Sequence, residues 1–173
     1  MNRWSKVVAV LMIAACGCSW LSAAPQKVTA ALDKDKIAVT INGKLFTCYK
    51  FAADLKYPYF WPVNGPLSGK SITTETSEPY PHHHSLFFGC DRVNGGNYWQ
   101  DVNARGQILS QGPKIISVHG GPDSGERIVF ADTCLWKQPD RDPVIEDTRE
   151  IIISAPSETL RIIDFKVTMR PLV

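Results

Sequence analysis

Three histidines stand side by side in the segment Glu78 to Trp99, EPYPHHHSLFFGCDRVNGGNYW. Imidazole titrates near neutral pH, so His82, His83 and His84 can move a proton, bind a metal or hydrogen-bond a ligand. Leu86, Phe87 and Phe88 follow and favour an extended backbone, which predicts that the whole run is a strand. On a strand, His82 and His84 share one face and His83 points to the other. The same-face pair would then sit about 6.5 Å apart, twice the rise per residue. That spacing suits a shared metal, with a third ligand from His119, Asp91 or Glu146. It suits a shared organic ligand equally well. The plainer alternative is a row of histidines capping a sheet edge and bonded to backbone. Clustering of titratable groups between Pro81 and a glycine-rich exit favours a functional role.

The residues downstream fit that role. Asn94-Gly95-Gly96-Asn97 reads as a tight turn, since glycine accepts positive φ at no steric cost. Tyr98 and Trp99 are either core residues or a flat wall against a sugar ring. YPYFWPV, residues 57–63, is a second aromatic cluster, and its prolines predict a loop folded over the sheet. Among the carboxylates of VIEDTRE, Glu146 follows apolar Val144 and Ile145 and is expected to point inward. Ser85 lacks the elbow of a serine nucleophile, and no glycine loop cradles a phosphate.

The elements that must hold these groups are strands. Period-two alternation recurs along the chain, and no stretch after the first residues keeps a helical period. KIAVTI alternates, Asn42-Gly43 signals a hairpin, and KLFTCYKF returns. KVTAAL adds a strand upstream. GQILSQGPKIISVHG reads as one or two strands broken near Gly112-Pro113. RIVFADTCLW and REIIISA flank the polar turn KQPDRDP. TLRIIDFKVTMRP closes the chain, with Ile163, Phe165, Val167 and Met169 on one face. Short strands with Gly, Pro and Asn punctuation predict an all-β fold, an antiparallel β-sandwich.

The first residues set the expected compartment. MNRWSK is a basic n-region and VVAVLMIAA an apolar h-region, too short for the roughly 20 residues of a bilayer span. This predicts a signal peptide over 1–24 and a domain over 25–173. IAAC resembles a lipobox, in which Cys16 would carry lipid and tie the protein to a membrane. Both endings place the protein outside the cytoplasm, as a periplasmic, lipid-anchored or extracellular chain. Without Arg3 and Lys6 of that leader the 19 basic residues fall to 17, equal to the 17 acidic ones. That balance argues against nucleic acid as a partner. Cys48, Cys90 and Cys134 show neither metal spacing nor a disulfide framework, and each is expected to be a buried small side chain.

YPYFWPVNGP, PHHHSLFFGCDRVNGGNYW, PVIEDTRE and LRIIDFKVTM together resemble the PmoA-like family of exported bacterial proteins. That family carries Pro-His-His-Arg-(Gly/Ser)-Leu-Trp-Phe and then Val-Asn-Gly-x-(Asp/Asn)-Phe-Trp. Pro81, His82, His83, Leu86, Phe88, Val93, Asn94, Gly95 and Trp99 match. Phe87 and Tyr98 are aromatic replacements, and His84 stands where the family has a basic residue. The resemblance implies a supersandwich similar to the galactose-mutarotase group, here incomplete, with the chain as the front part of a longer fold. It also brings a methane oxygenase label. In mutarotase-like enzymes a histidine acts as acid and a later glutamate as base, which points to His82 or His83 as the catalytic histidine.

The expectation is therefore an exported protein that binds or modifies a carbohydrate or other small molecule without a cofactor. His82 and His83 would be catalytic, and His84, Asn94, Tyr98, Trp99 and Glu146 would contact the ligand. Two alternatives stand beside it. One is a metal-dependent oxidase using His82 and His84. The other is a non-catalytic lipoprotein module.

Overall fold

Ten strands build two antiparallel sheets in the computed structural model, which describes residues 26–100, 102–119 and 126–173. The expected leader, with Cys16, lies outside the described residues.

The first sheet is a simple meander of β1 (Val28–Leu32), β2 (Lys36–Ile41), β3 (Lys44–Lys50), β4 (Tyr59–Val63) and β5 (Leu86–Phe87). Its period-two pattern is clearest in β2, where Ile37, Val39 and Ile41 are buried and their neighbours are half-buried. Asn42 and Gly43 take φ of 50° and 76°, the paired positive values that a type I′ turn requires. The second sheet holds β6 (Gln107–Ser110), β7 (Lys114–His119), β8 (Arg127–Lys137), β9 (Ile145–Ser157) and β10 (Leu160–Pro171). It runs β10-β9-β8, and β6 and β7 pair with opposite halves of β8.

The sheets face each other across two apolar clusters. One joins Ile37, Val39, Tyr49 and Phe60 to Ile128, Phe130, Ile151 and Ile153. The other joins Tyr57, Tyr59 and Tyr98 to Ile108, Cys134 and Trp136. These residues follow from the strand period, because every second position of β8 and β9 is buried. The all-β sandwich read from the sequence is the observed architecture.

Several local expectations need correction. YPYFWPV is not a loop over the sheet; all of it after Pro58 is β4, an inner strand. Proline is tolerated because the β3–β4 ladder steps over Trp61 and Pro62, pairing Thr47 with Val63 and Tyr49 with Phe60. A residue without an N–H can sit in such an irregularity. β9 is likewise an inner strand, between β8 and β10. On β10, Ile163 and Phe165 reach the core, but Met169 is 45% exposed and leaves the predicted apolar face uncovered there. Of the three described cysteines only Cys134 is buried; Cys48 is intermediate and Cys90 exposed.

Between the apolar clusters lies a buried polar group. Arg149 and Asp147, both fully buried, form a two-pronged pair at 2.8 and 3.0 Å. Trp136 Nε1 donates to the same carboxylate at 2.6 Å. Beside them Asp132 accepts hydrogen bonds from Tyr49 Oη and Ser110 Oγ, each at 2.8 Å. Burial raises the pKa of Asp132, while the Ser110 and Tyr49 hydrogen bonds and the Arg149 charge oppose that rise.

Candidate functional site

The histidines do not lie on a strand. Only Leu86 and Phe87 pair with β4, opposite Phe60 and Tyr59, and residues 81–85 precede them as a turn and open loop. The turn is closed by the His83 N–H, which donates to the Tyr80 carbonyl at 2.9 Å. A turn does not alternate faces, so the expected split of His82 and His84 against His83 is not formed.

His82 and His83 stay together. Their rings meet edge to face with centroids 4.5 Å apart. His83 lies between Tyr80, at 5.1 Å, and Trp99, at 5.7 Å with planes only 6° apart. His82 presents its edge to Trp99 at 5.9 Å. Burial lowers the pKa of His82, and the neighbouring His83 and His84 lower it further. A histidine held below its usual value is neutral at pH 7.

His84 joins a different set of partners. It stacks on Tyr59 at 4.6 Å, and its Nδ1 lies 2.8 Å from the Glu75 carbonyl. A carbonyl only accepts, so Nδ1 carries the proton and Nε2 is left as the acceptor in the neutral ring. The Glu75 carboxylate receives Lys50 Nζ and, at 2.8 Å, Tyr59 Oη. Burial pushes the Glu75 carboxyl up, but the Lys50 and Tyr59 hydrogen bonds outweigh it and hold it below the usual value. Lys50 also sits over the faces of Tyr59 and Trp61, at 5.5 and 4.9 Å. The shared metal face for His82 and His84 rested on a strand register that is not formed. Among the described residues no group of three or more His, Cys, Asp or Glu is placed to hold a metal. The His119 side chain lies outside the described part of the structure.

His83, His84, Phe87 and Trp99 wall an open cleft of about 540 Å³, edged by the hydroxyl residues Thr73, Thr74, Ser77 and Ser85. Trp99 Nε1 is buried with no hydrogen-bond partner among the described residues. This cleft offers flat aromatic surface, an imidazole pair and hydroxyls together. It sits at the β5 end of the first sheet, where Tyr57 donates to the His82 carbonyl.

The other predicted residues fall elsewhere. Tyr98 is a core residue, fully buried and 5.2 Å from Trp136. Its ring explains the second glycine of the turn: a Cβ on Gly96 would come within 2.6 Å of it. Asn94, with φ of 46°, helps line a second cleft of about 480 Å³ that also contains Asp91. Glu146 does not point inward. It is partly exposed on β9 and accepts from Arg170 Nη2 at 2.9 Å. Its neighbour Asp147 takes the inward place, because β9 keeps the phase of buried Ile151 and Ile153.

Sequence reasoning missed Glu75, Thr73 and Thr74, along with the paired tyrosines 57 and 59. Their only sequence signal was the aromatic run preceding a polar SITTETS stretch.

A model for a family of unknown function, DUF6807, matches residues 36–173, a range that includes both clefts and all the histidines. No curated protein and no solved structure matches the chain.

Proposed function

The chain belongs to DUF6807, a family of unknown function, and from that premise we propose that it is an exported carbohydrate-binding protein with its ligand in the His83–Trp99 cleft. The observation that carries this reading is the parallel His83–Trp99 stack beside an indole N–H that has no partner among the described residues. Sugar rings present an apolar C–H face and a rim of hydroxyls. An aromatic plate takes the first, and serine, threonine and imidazole groups take the second. The hydroxyls of Thr73, Thr74, Ser77 and Ser85 stand at that rim.

Within this proposal His82 and His83 are the pair for proton transfer at a bound sugar. His83 lines the cleft and is the one that meets the sugar; His82 does not line it and stands in edge-to-face contact with His83. His84 is a positioning residue, its ring fixed by Tyr59 and the Glu75 carbonyl. The relationship to PmoA-like exported proteins, and through them to mutarotase-like sandwiches, is part of the same proposal. Export itself is inferred from the leader over 1–24.

The test is a carbohydrate screen against purified protein, repeated with Trp99→Ala. Loss of the stacked wall should weaken binding about tenfold, since an aromatic contact of this kind is worth about 1 kcal/mol beyond its buried area. Unchanged binding by the variant would remove the cleft from consideration.

A further inference from the structure

The described residues that line the histidine cleft include no lysine, no arginine and no carboxylate side chain. Their polar groups are hydroxyls and two imidazoles. Which of these still holds a hydrogen to give decides what can enter. Two adjacent residues have none left. His84 commits its Nδ1 hydrogen to the Glu75 carbonyl at 2.8 Å and one ring face to Tyr59. Its Nε2 is the remaining polar atom and has no hydrogen-bond partner among the described residues. In the neutral ring Nε2 can only accept. Ser85 Oγ donates its single hydrogen to Thr73 Oγ1 at 2.7 Å. That leaves the serine oxygen with lone pairs alone for a ligand. Apolar surface flanks this pair of acceptors: Phe87, Trp99 and Ile72, which is 74% exposed and is held by its N–H on the Val63 carbonyl at 2.8 Å.

An ionised carboxylate or sulfate brings lone pairs and charge but no hydrogen, so it makes no bond to such a pair and loses its own hydration. A sugar hydroxyl brings the missing hydrogen. We propose that the cleft takes an uncharged sugar residue and reads two neighbouring free hydroxyls, one donating to His84 Nε2 and the next to Ser85 Oγ. The C–H face of the same ring lies on the Trp99 wall. His84 thereby gains a direct contact with the ligand, and the bonds that fix its ring also fix which nitrogen accepts. The inference rests on the carbohydrate reading and narrows it to neutral sugars with free vicinal hydroxyls.

The experiment titrates methyl glucoside, methyl galactoside and methyl mannoside into wild type, followed by NMR. The best binder is then compared with its uronate and with its monodeoxy and monodeoxyfluoro analogues at each position. Fluorine keeps a polar atom in place of the hydroxyl but cannot donate, so it separates a donor from an acceptor. The same series is run on His84→Asn and Ser85→Ala, with denaturation midpoints measured on the same samples. Asparagine can still donate to the Glu75 carbonyl but puts no acceptor at the Nε2 position. In wild type, two adjacent positions should each lose about tenfold in affinity on deoxygenation and equally on fluorination. His84→Asn should erase one of these margins and Ser85→Ala the other. The two variants are independent, so one that lowers the midpoint leaves the other to decide. Fluorinated analogues that bind like the parent at every position, margins that persist in a variant of unchanged midpoint, or a uronate that binds as tightly as the parent overturn the acceptor pair and leave the carbohydrate reading standing. Failure of all three methyl hexosides to bind wild type overturns both.

Discussion

Two regions of this molecule gather titratable groups, and they do so in opposite ways. Between the sheets, Asp132, Asp147, Arg149 and Tyr49 are almost completely buried, and their side chains are hydrogen-bonded to one another or to Trp136 and Ser110. At the loop, His82, His83 and Trp99 are only partly covered, and the indole N–H has no partner among the described residues. The first cluster has spent its bonding capacity on the fold. The second keeps capacity for something outside the chain. Clustering of ionisable groups alone therefore does not mark a site; unspent donors beside open volume are the more useful sign.

Breaking the buried cluster should have the largest effect on stability. Arg149→Met leaves the Asp147 carboxylate buried and unpaired, which should cost about 3–5 kcal/mol. Urea denaturation of the variant checks this, and a loss below about 1 kcal/mol would mean that the pair is not sealed as described. Gly96→Ala comes next. Its Cβ would press on the Tyr98 ring, and such overpacking should cost about 1–3 kcal/mol by the same measurement.

The pH response sharpens the contrast further. The folded-state pKa of Asp132 is raised above its unfolded value, so the fold binds that proton more tightly than the unfolded chain does. Its contribution is fully favourable below the ordinary carboxylate range and is lost as pH rises from about 4 through the raised value. The stability difference between wild type and Asp132→Asn should therefore change over that window, with wild type losing ground as pH rises. A flat difference would place Asp132 in a wetter setting. The smallest effect is expected at Glu146, whose partner Arg170 is 65% exposed. Glu146→Gln should change stability by about 0.5 kcal/mol or less and should leave ligand binding alone.

The sandwich was readable in the sequence because alternation and turn chemistry agree along most of the chain. Asn42-Gly43 marked its hairpin, and the alternation of β8 and β9 marked their buried faces. What failed did so for local reasons. Counting phase from Val144–Ile145 turned Glu146 inward, whereas counting from Ile151 and Ile153 would have chosen Asp147 and Arg149. Pro62 looked like a loop marker because the ladder irregularity that accommodates it depends on pairing with a distant strand. The histidines were read as a strand from their apolar followers, but only Leu86 and Phe87 find a partner.

The candidate site was half readable. His82, His83 and Trp99 were chosen from their types and do meet. Tyr98 and Asn94 were chosen for the same reasons and do not reach that cleft. Adjacent residues in a tight turn can go to the core, to one cleft or to another, and glycine packing decides which. Glu75 and the threonines before it arrive from a long loop whose path no periodicity encodes.

The His83–Trp99 wall is proposed to bind a ligand and not to hold up the fold. This proposal is tested most directly by titrating the best carbohydrate from the screen into wild type and His83→Ala, with denaturation midpoints measured on the same samples. Binding by His83→Ala should be about tenfold weaker at an unchanged midpoint. Unaltered affinity, or a fall in affinity matched by an equal fall in stability, would contradict it.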